Sequence, residues 1–215
     1  PPIPPATLLE GEPGAGKTYA LTTYIEAGLD LFVLATESHA LISLLNAVAA
    51  RKLPREKLHY HLVPPAPPSF DELEEVAREV QDKNFEQLSA GKTGIAKRRF
   101  VHWVHMVRSC KDFPDDLTGK RFGDVTDLGP EAAFVLDGLS GINTMAWQQT
   151  AGLKTNLAPG EYGTAQQLEL RFLQTLSSNR NCFFTLIAHL DRNVDEITQA
   201  TKIMPAVVGV KIAPQ

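Results

Sequence analysis

The sequence predicts a three-layer α/β fold built around a mainly parallel β-sheet. Three apolar runs, each long enough for one buried strand, occur at Leu31–Thr36, Ala132–Leu136 and Cys182–Ala188. Stretches of helical period separate these runs, and a helix between two strands is the usual crossover of a parallel sheet. Strands that are apolar along their whole length are typical of a sheet covered on both faces. We therefore expect helices in both outer layers.

The first third of the chain extends this alternation. Thr7–Leu9 predicts a short first strand, and Lys17–Ala27 predicts the helix that follows it. A helix is expected over Ser38–Ala50 because Ser38 can act as its N-cap. Leu58–Val63 predicts another strand, which ends before a proline-rich turn.

Helices dominate the middle of the chain. Ser69–Leu88 predicts a charged amphipathic helix, in which Ser69 and Glu72 fit a capping box. Phe100–Cys110 predicts a second helix after a polar link. Thr164–Ser177 predicts a helix between the last two apolar runs.

These elements predict one domain over residues 1–215 with two additions. The helical region over residues 69–125 is expected to be an insertion. Residues 191–213 are expected to form a C-terminal hairpin from two strand-like pieces, Ile197–Ile203 and Val207–Ile212.

The composition restricts the class of protein. A chain of 215 residues with 43% hydrophobic and 21% charged residues can bury a full core. No apolar stretch approaches the roughly 18 residues that span a bilayer, and no secretory signal opens the chain. We therefore expect a cytoplasmic protein with no membrane partner. The start at Pro1 and the end at Gln215 predict a fragment of a longer product.

Charge and cysteine content exclude further classes. The formal net charge of −4 argues against a surface coated by nucleic acid, although it leaves room for a local basic strip. Cys110 and Cys182 show neither C-x-x-C nor zinc spacing, so both are expected to be reduced structural thiols.

The most specific pattern is G-x-x-x-x-G-K-[ST] over Gly11–Thr18, between the first strand and the first helix. Its glycines allow backbone N–H groups to point at phosphate oxygens. Lys17 can reach the β- and γ-phosphates, and the Thr18 hydroxyl can ligate Mg²⁺. The pattern predicts a P-loop NTPase that uses a nucleotide and Mg²⁺, against the alternative of an ordinary glycine turn. The expected nucleotide contacts are Gly11, Glu12, Pro13, Gly14, Ala15, Gly16, Lys17, Thr18 and Tyr19.

Two carboxylates follow predicted strands and so belong at the same edge of the sheet. Asp137 ends the run Ala133–Leu136, in the position of a Walker B aspartate that supports Mg²⁺ beside Thr18. Glu37 follows Leu31–Thr36, where a carboxylate can orient or deprotonate an attacking water. Asp137 could instead cap the helix that follows it. Glu37 could instead favour the dipole of its helix through charge.

Four segments, in chain order, resemble the RecA-like ATPase core: GEPGAGKT, LFVLATESHAL, AAFVLDGLSGI and CFFTLIAHLD. The match is closest to bacteriophage RecA-type ATPases of single-strand annealing and recombination. It spans most of the chain from Thr7 to Pro214, but Ser69–Val125 has no clear counterpart in the minimal core. The resemblance implies a homo-oligomer that acts on single-stranded DNA, with ATP held at subunit interfaces. It also implies the host cytoplasm as the location if the chain is phage-encoded.

The resemblance implies roles for four residues. Glu37 activates water, and His189, at the end of a strand, is a sensor that couples the γ-phosphate to the loops that follow. Lys211, with Lys202 as a second candidate, reaches the γ-phosphate of the neighbouring subunit. A solvated edge lysine is the alternative for Lys211, and a hydrogen-bonded strand-end histidine is the alternative for His189.

A direct DNA contact has one candidate segment. This segment combines positive charge with an aromatic ring that could stack on a base. It contains Lys92, Lys97, Arg98 and Arg99, followed by His102 and Trp103. The apolar pattern around Trp103 favours core packing for this residue instead. Trp147 and Tyr162 are also expected to be packing residues. Zinc binding by His102, His105 and Cys110 is not expected, because helical spacing does not gather the three side chains.

Two other functions stay open. One is a ring-forming DNA motor, such as a helicase or a packaging ATPase. The other is a nucleotide-gated assembly module with little turnover, against which Glu37 is the relevant sequence feature.

Overall fold

The computed structural model describes residues 4–82, 100–154, 159–178, 180–194 and 201–205. The strands are β1 Ala6–Gly11, β2 Asp30–Ala35, β3 Leu58–Leu62, β4 Ala132–Asp137, β5 Phe183–Val194 and β6 Thr201–Pro205. The helices are α1 Lys17–Ala20, α2 Thr22–Glu26, α3 Ser38–Ala50, α4 Phe70–Asp82, α5 His102–Lys111, α6 Leu139–Ala151 and α7 Pro159–Ser178. Short 3₁₀ turns occur at Arg55–Lys57 and Val125–Asp127.

The strands form one sheet in the order β1, β5, β4, β2, β3, and β6 pairs with β5. The first five strands pair in parallel, whereas β6 is antiparallel to β5. The predicted mainly parallel sheet is therefore confirmed.

The sheet separates two hydrophobic cores. Along β2, Leu31 and Val33 pack into the core that contains residues of α2 and α3. The alternate residues Phe32 and Leu34 pack into the core that contains residues of α5, α6 and α7. Successive side chains of a strand point to opposite faces of its sheet, so a strand buried in two cores must be apolar throughout. Helices thus lie on both faces, which is compatible with the expected three layers.

The parallel pairing brings the carboxyl ends of β1, β2 and β4 to one edge, next to His189, which lies within β5 and not at its predicted end. In the register, Gly11 at the end of β1 is opposite His189 of β5. Ala35 at the end of β2 is opposite Asp137 at the end of β4. The loops that follow these strands therefore start from neighbouring positions, where ligands collect in open α/β sheets.

The capping box predicted for α4 is present. The Glu72 carboxylate accepts from the Ser69 backbone N–H at 2.6 Å, and the Glu72 N–H donates to the Ser69 hydroxyl at 3.3 Å. The helix is described to Asp82, and the rest of its predicted range lies outside the described residues. α7 begins at Pro159, earlier than predicted, because proline is well suited to the first position of a helix.

The C-terminal hairpin differs from the prediction. β5 continues beyond the predicted Cys182–Ala188, and its residues Leu190–Val194 pair with Thr201–Pro205. Met204 and Pro205, predicted to separate two strands, are paired in β6 instead. The antiparallel partner of β6 is thus the end of β5, while the predicted strand Val207–Ile212 lies outside the described residues.

Several predicted packing roles are confirmed. Trp147 and Tyr162 pack edge to face, with ring centroids 4.8 Å apart. Cys110 and Cys182 are buried and form no disulfide. Burial raises the pKa of the Cys110 thiol to about 12, so this thiol stays protonated at neutral pH. Within the described ranges, no helix combines the length and apolar character needed to cross a membrane.

Candidate functional site

The glycine-rich loop, residues 12–16, connects β1 to α1, which is the strand–loop–helix context that the pattern requires. Gly14 and Gly16 have positive φ angles of 80° and 84°, in a region of backbone space that strains residues with a side chain. A Cβ atom on Gly11 would lie 3.3 Å from the Cβ of Ala15. The loop therefore turns tightly over the end of β1, and its glycines are needed for that turn.

Lys17 projects back across this loop. Its Nζ donates to the carbonyl oxygens of Gly11, at 2.7 Å, and Glu12, at 2.9 Å. The same Nζ lies 3.4 Å from Nδ1 of His189. Lys17 is only 8% exposed, and a buried ammonium group requires such acceptors. The ammonium is thus fixed at the mouth of the loop, where phosphate oxygens could replace the carbonyl groups as its partners.

Asp137 faces Thr18 across the sheet edge. The Thr18 hydroxyl donates to Oδ2 of Asp137 at 3.3 Å. Burial is the main influence on Asp137 and raises the pKa of its carboxyl to about 6; the nearby Glu37 carboxylate adds to this, whereas Thr18, His189 and Lys17 oppose it. This buried carboxylate is costly to ionise, and a divalent cation would relieve that cost.

These two residues fit a magnesium ion that arrives with a nucleotide. Mg²⁺ is usually held by one or two carboxylates together with phosphate and water oxygens. The Thr18 hydroxyl and the Asp137 carboxylate supply two suitable oxygens side by side. Among the described residues there is no group of three or more His, Cys, Asp or Glu side chains that could hold a metal. The arrangement therefore does not favour a metal bound by protein ligands alone.

Glu37 lies between two histidines. Its Oε2 is 3.0 Å from Nε2 of His39 and 3.8 Å from Nε2 of His189. The backbone of Glu37 is extended at the N-cap of α3, yet its side chain makes no capping hydrogen bond. Glu37, and not the predicted Ser38, is thus the N-cap residue of α3. The alternative role as a favourable charge on the helix dipole is compatible with this position. His39 was not among the predicted site residues. It could have been found from its position two residues after Glu37.

Thr36 joins the ends of β2 and β4, and it too was not among the predicted site residues. Its hydroxyl donates to the carbonyl oxygens of Gly138, at 2.8 Å, and Asp137, at 3.2 Å. A Cβ atom on Gly138 would lie 2.1 Å from the Thr36 hydroxyl, and one on Gly141 would lie 2.3 Å from it. Both glycines are therefore required for this close approach. The contact fixes Glu37, the next residue, relative to Asp137.

The remaining predicted nucleotide contact, Tyr19, is 52% exposed. The Arg51 guanidinium lies over its ring, 5.2 Å from the centroid. Lys202 is in β6, where its register partner is Asn193. Lys211 lies outside the described residues, so its predicted role in a neighbouring site stays a prediction.

The candidate DNA segment lies largely outside the described residues, which do not include Lys92, Lys97, Arg98 or Arg99. Trp103 is 7% exposed and packs edge-on against Phe172, with ring centroids 5.6 Å apart. The tryptophan is therefore a core residue, as its apolar surroundings predicted. His102 and His105 have neighbouring rings, but they form no metal cluster with Cys110 in the described part of the chain.

Comparison with known proteins finds no family model that matches the chain and no curated protein with significant sequence similarity. The functional interpretation therefore depends on the residues and their geometry.

Proposed function

We propose that this protein binds ATP with Mg²⁺ and hydrolyses it. The observation that supports the proposal is a continuous set of contacts at one sheet edge, from elements far apart in sequence. Thr18 contacts Asp137, Lys17 contacts His189, and His189 lies near Glu37. A glycine turn with no function would not need these polar groups to converge.

Each group has a role that its environment supports. The N–H groups of the glycine-rich loop and the Lys17 ammonium bind the phosphates. Thr18 and Asp137 would hold Mg²⁺, which would supply neutralisation of charge on the phosphate oxygens. Glu37 would orient and deprotonate the attacking water, since it is a partly exposed carboxylate beside His39 and His189.

His189 is proposed to couple the nucleotide to the following hairpin. It lies 3.4 Å from the Lys17 ammonium, so a change in the partners of Lys17 alters its hydrogen bonding directly. Leu190, the next residue, begins the segment that pairs with β6. A displacement of His189 would therefore be transmitted to the β5–β6 ladder.

Single-stranded DNA is the proposed activator, and a homo-oligomer with ATP between subunits is the proposed active form. Both proposals come from the resemblance to RecA-like ATPases. The position of the hairpin immediately after His189 supports them, because a nucleotide-dependent shift there could alter DNA affinity.

The test is ATP hydrolysis by the purified protein with Mg²⁺, measured with and without single-stranded DNA. We expect turnover that DNA stimulates and that Lys17→Ala abolishes. Lys120→Ala is the matched control, because it removes an exposed lysine on a loop beside β3. Lys17-dependent turnover that ignores DNA would overturn the proposed activator, and absence of Lys17-dependent turnover would overturn the proposed hydrolysis.

A further inference from the structure

α4 presents an apolar stripe to solvent. Phe70 is 90% exposed, Leu73 47% and Val80 43%. Together with the exposed Ala77 they follow the spacing i, i+3, i+7 and i+10, which places them on one face of the helix. We call these four residues the α4 stripe. The buried Glu72 lies outside this face.

The exposed apolar stripe indicates that α4 packs against a partner. A helix of 13 residues is only marginally stable in water by its own propensity, and helices in proteins depend on burial of their apolar face. A contiguous exposed apolar surface with polar residues around it is typical of an interaction site.

The same chain carries a groove between α5 and α7, with a volume of about 530 Å³. Trp103 and Val107 line it from α5, and Leu168 and Phe172 line it from α7. The groove is therefore mainly apolar, and it is open to solvent at Val107, which is 40% exposed. An apolar groove between two helices is a recurrent binding site for the apolar face of a third.

The charges around the two surfaces are opposite. α4 carries six carboxylates and one arginine, and that arginine, Arg78, already pairs with Glu74. The groove is lined by Lys111 and Arg171, and neither has a carboxylate partner among the described residues. The acidic lining residue, Asp124, accepts at Oδ1 from the N–H and hydroxyl of Thr126, at 2.9 and 2.7 Å.

We propose that α4 of one copy of this chain docks in the α5–α7 groove of a second copy. The helix is about 20 Å long at 1.5 Å per residue, and its four stripe residues serve as the anchors. The α4 stripe and the groove are different surfaces of one chain, so the contact is heterologous. Copies joined in this way add head to tail and form a ring or a filament.

The experiment uses the full chain without nucleotide, with mass measured by light scattering over a concentration series. Phe70→Ser with Leu73→Ser removes the stripe, and Val107→Asp blocks the groove. Each side chain is exposed, so both variants should fold, which circular dichroism can verify. Ile42→Ser, on α3 and 58% exposed, is the control for the stripe. Leu170→Asp is the control for the groove, because it is 47% exposed on α7 but does not line the groove.

We expect assembly of the unaltered chain and of both controls, and monomers for the stripe variant and the groove variant alone. An equimolar mixture of the two variants should form a dimer and nothing larger, because it contains one intact stripe that meets one intact groove. The proposal would be overturned if the unaltered chain is monomeric or if the stripe variant still assembles. It would also be overturned if the stripe variant loses assembly but the groove variant does not. The readout is mass alone, so it stands or fails independently of ATP hydrolysis.

Discussion

The ends of β2 and β4 lie side by side at one sheet edge, yet they present their carboxylates in different environments. Asp137, after β4, is 5% exposed and faces the Thr18 hydroxyl. Glu37, after β2, has a side chain that is 24% exposed and lies between two histidines. Burial raises the pKa of Asp137 to about 6. Two neighbouring carboxylates can therefore be given different roles on the basis of their different surroundings.

This division of tasks follows from what each environment can support. A desolvated carboxylate beside a hydroxyl gains most from a cation, which compensates its buried charge. A carboxylate held by imidazoles at the solvent border can meet a water molecule and take its proton. Asp137 is therefore proposed for Mg²⁺ and Glu37 for water.

The largest expected effect separates these two carboxylates. Asp137→Asn should lower turnover by about 1000-fold and weaken binding of the Mg²⁺ nucleotide, because a metal ligand is lost. Glu37→Gln should lower turnover by about 100-fold or more while binding is retained, because only the base is lost. Steady-state hydrolysis and equilibrium binding of ATP, measured on both variants, check this.

Matching behaviour of the two variants would contradict the separate assignments. Ser43→Ala on α3 is a suitable control for Glu37→Gln, since it removes an exposed polar group whose hydroxyl donates only to the His39 carbonyl within its own helix.

A smaller effect is expected where the two strand ends are joined. Thr36→Val removes the hydroxyl that donates to Asp137 and Gly138, so Glu37 should lose its fixed position relative to Asp137. We expect kcat to fall about tenfold with KM little changed, because misplacement costs chemistry more than binding. Thr36→Ser keeps the hydroxyl and should restore kcat. Equal losses in both variants would show that the methyl group, and not the hydrogen bond, is what matters.

A separate effect concerns stability in the absence of nucleotide. The raised pKa of Asp137 means that the folded state holds its proton more tightly than the unfolded chain between pH 3.8 and about 6. The free energy of unfolding therefore falls as pH rises through this window. Asp137→Asn avoids the buried charge and should be more stable at pH 8 by about 2 kcal/mol.

Urea unfolding at pH 4 and pH 8 checks this expectation. The stabilisation by Asp137→Asn should nearly vanish at pH 4, where the aspartate is largely protonated in the folded protein. A variant that is less stable at pH 8 would show that the carboxylate is well solvated and would weaken its assignment to the metal.

Local patterns in the sequence predicted the strands and the residues that end them. Asp137 and Glu37 could be placed at one edge because apolar runs precede both, and the carboxyl ends of parallel strands coincide. The spacing of Gly11–Thr18 predicted the loop in the same way, because its geometry depends on adjacent residues. The capping box of α4 is equally local.

The contacts between strand ends could not be predicted from such patterns. The Thr36 hydroxyl bonds to carbonyl groups 101 and 102 positions away in sequence, and that pairing depends on the strand order. The sequence shows glycine at positions 138 and 141, but it does not show that the close approach of Thr36 requires them. The length of β5 was missed for a related cause, since its extension depends on antiparallel pairing with β6.

The most direct test of the central claim is the Mg²⁺ dependence of ATP binding, measured by calorimetry with Mg²⁺ or with a chelator. Mg²⁺ should strengthen ATP binding to the unaltered chain by tenfold or more, about 1.4 kcal/mol. Asp137→Asn should lose that difference, and Lys17→Ala should lose binding in both conditions. Equal affinity with and without Mg²⁺, or an unaffected Lys17→Ala variant, would contradict the proposed nucleotide site.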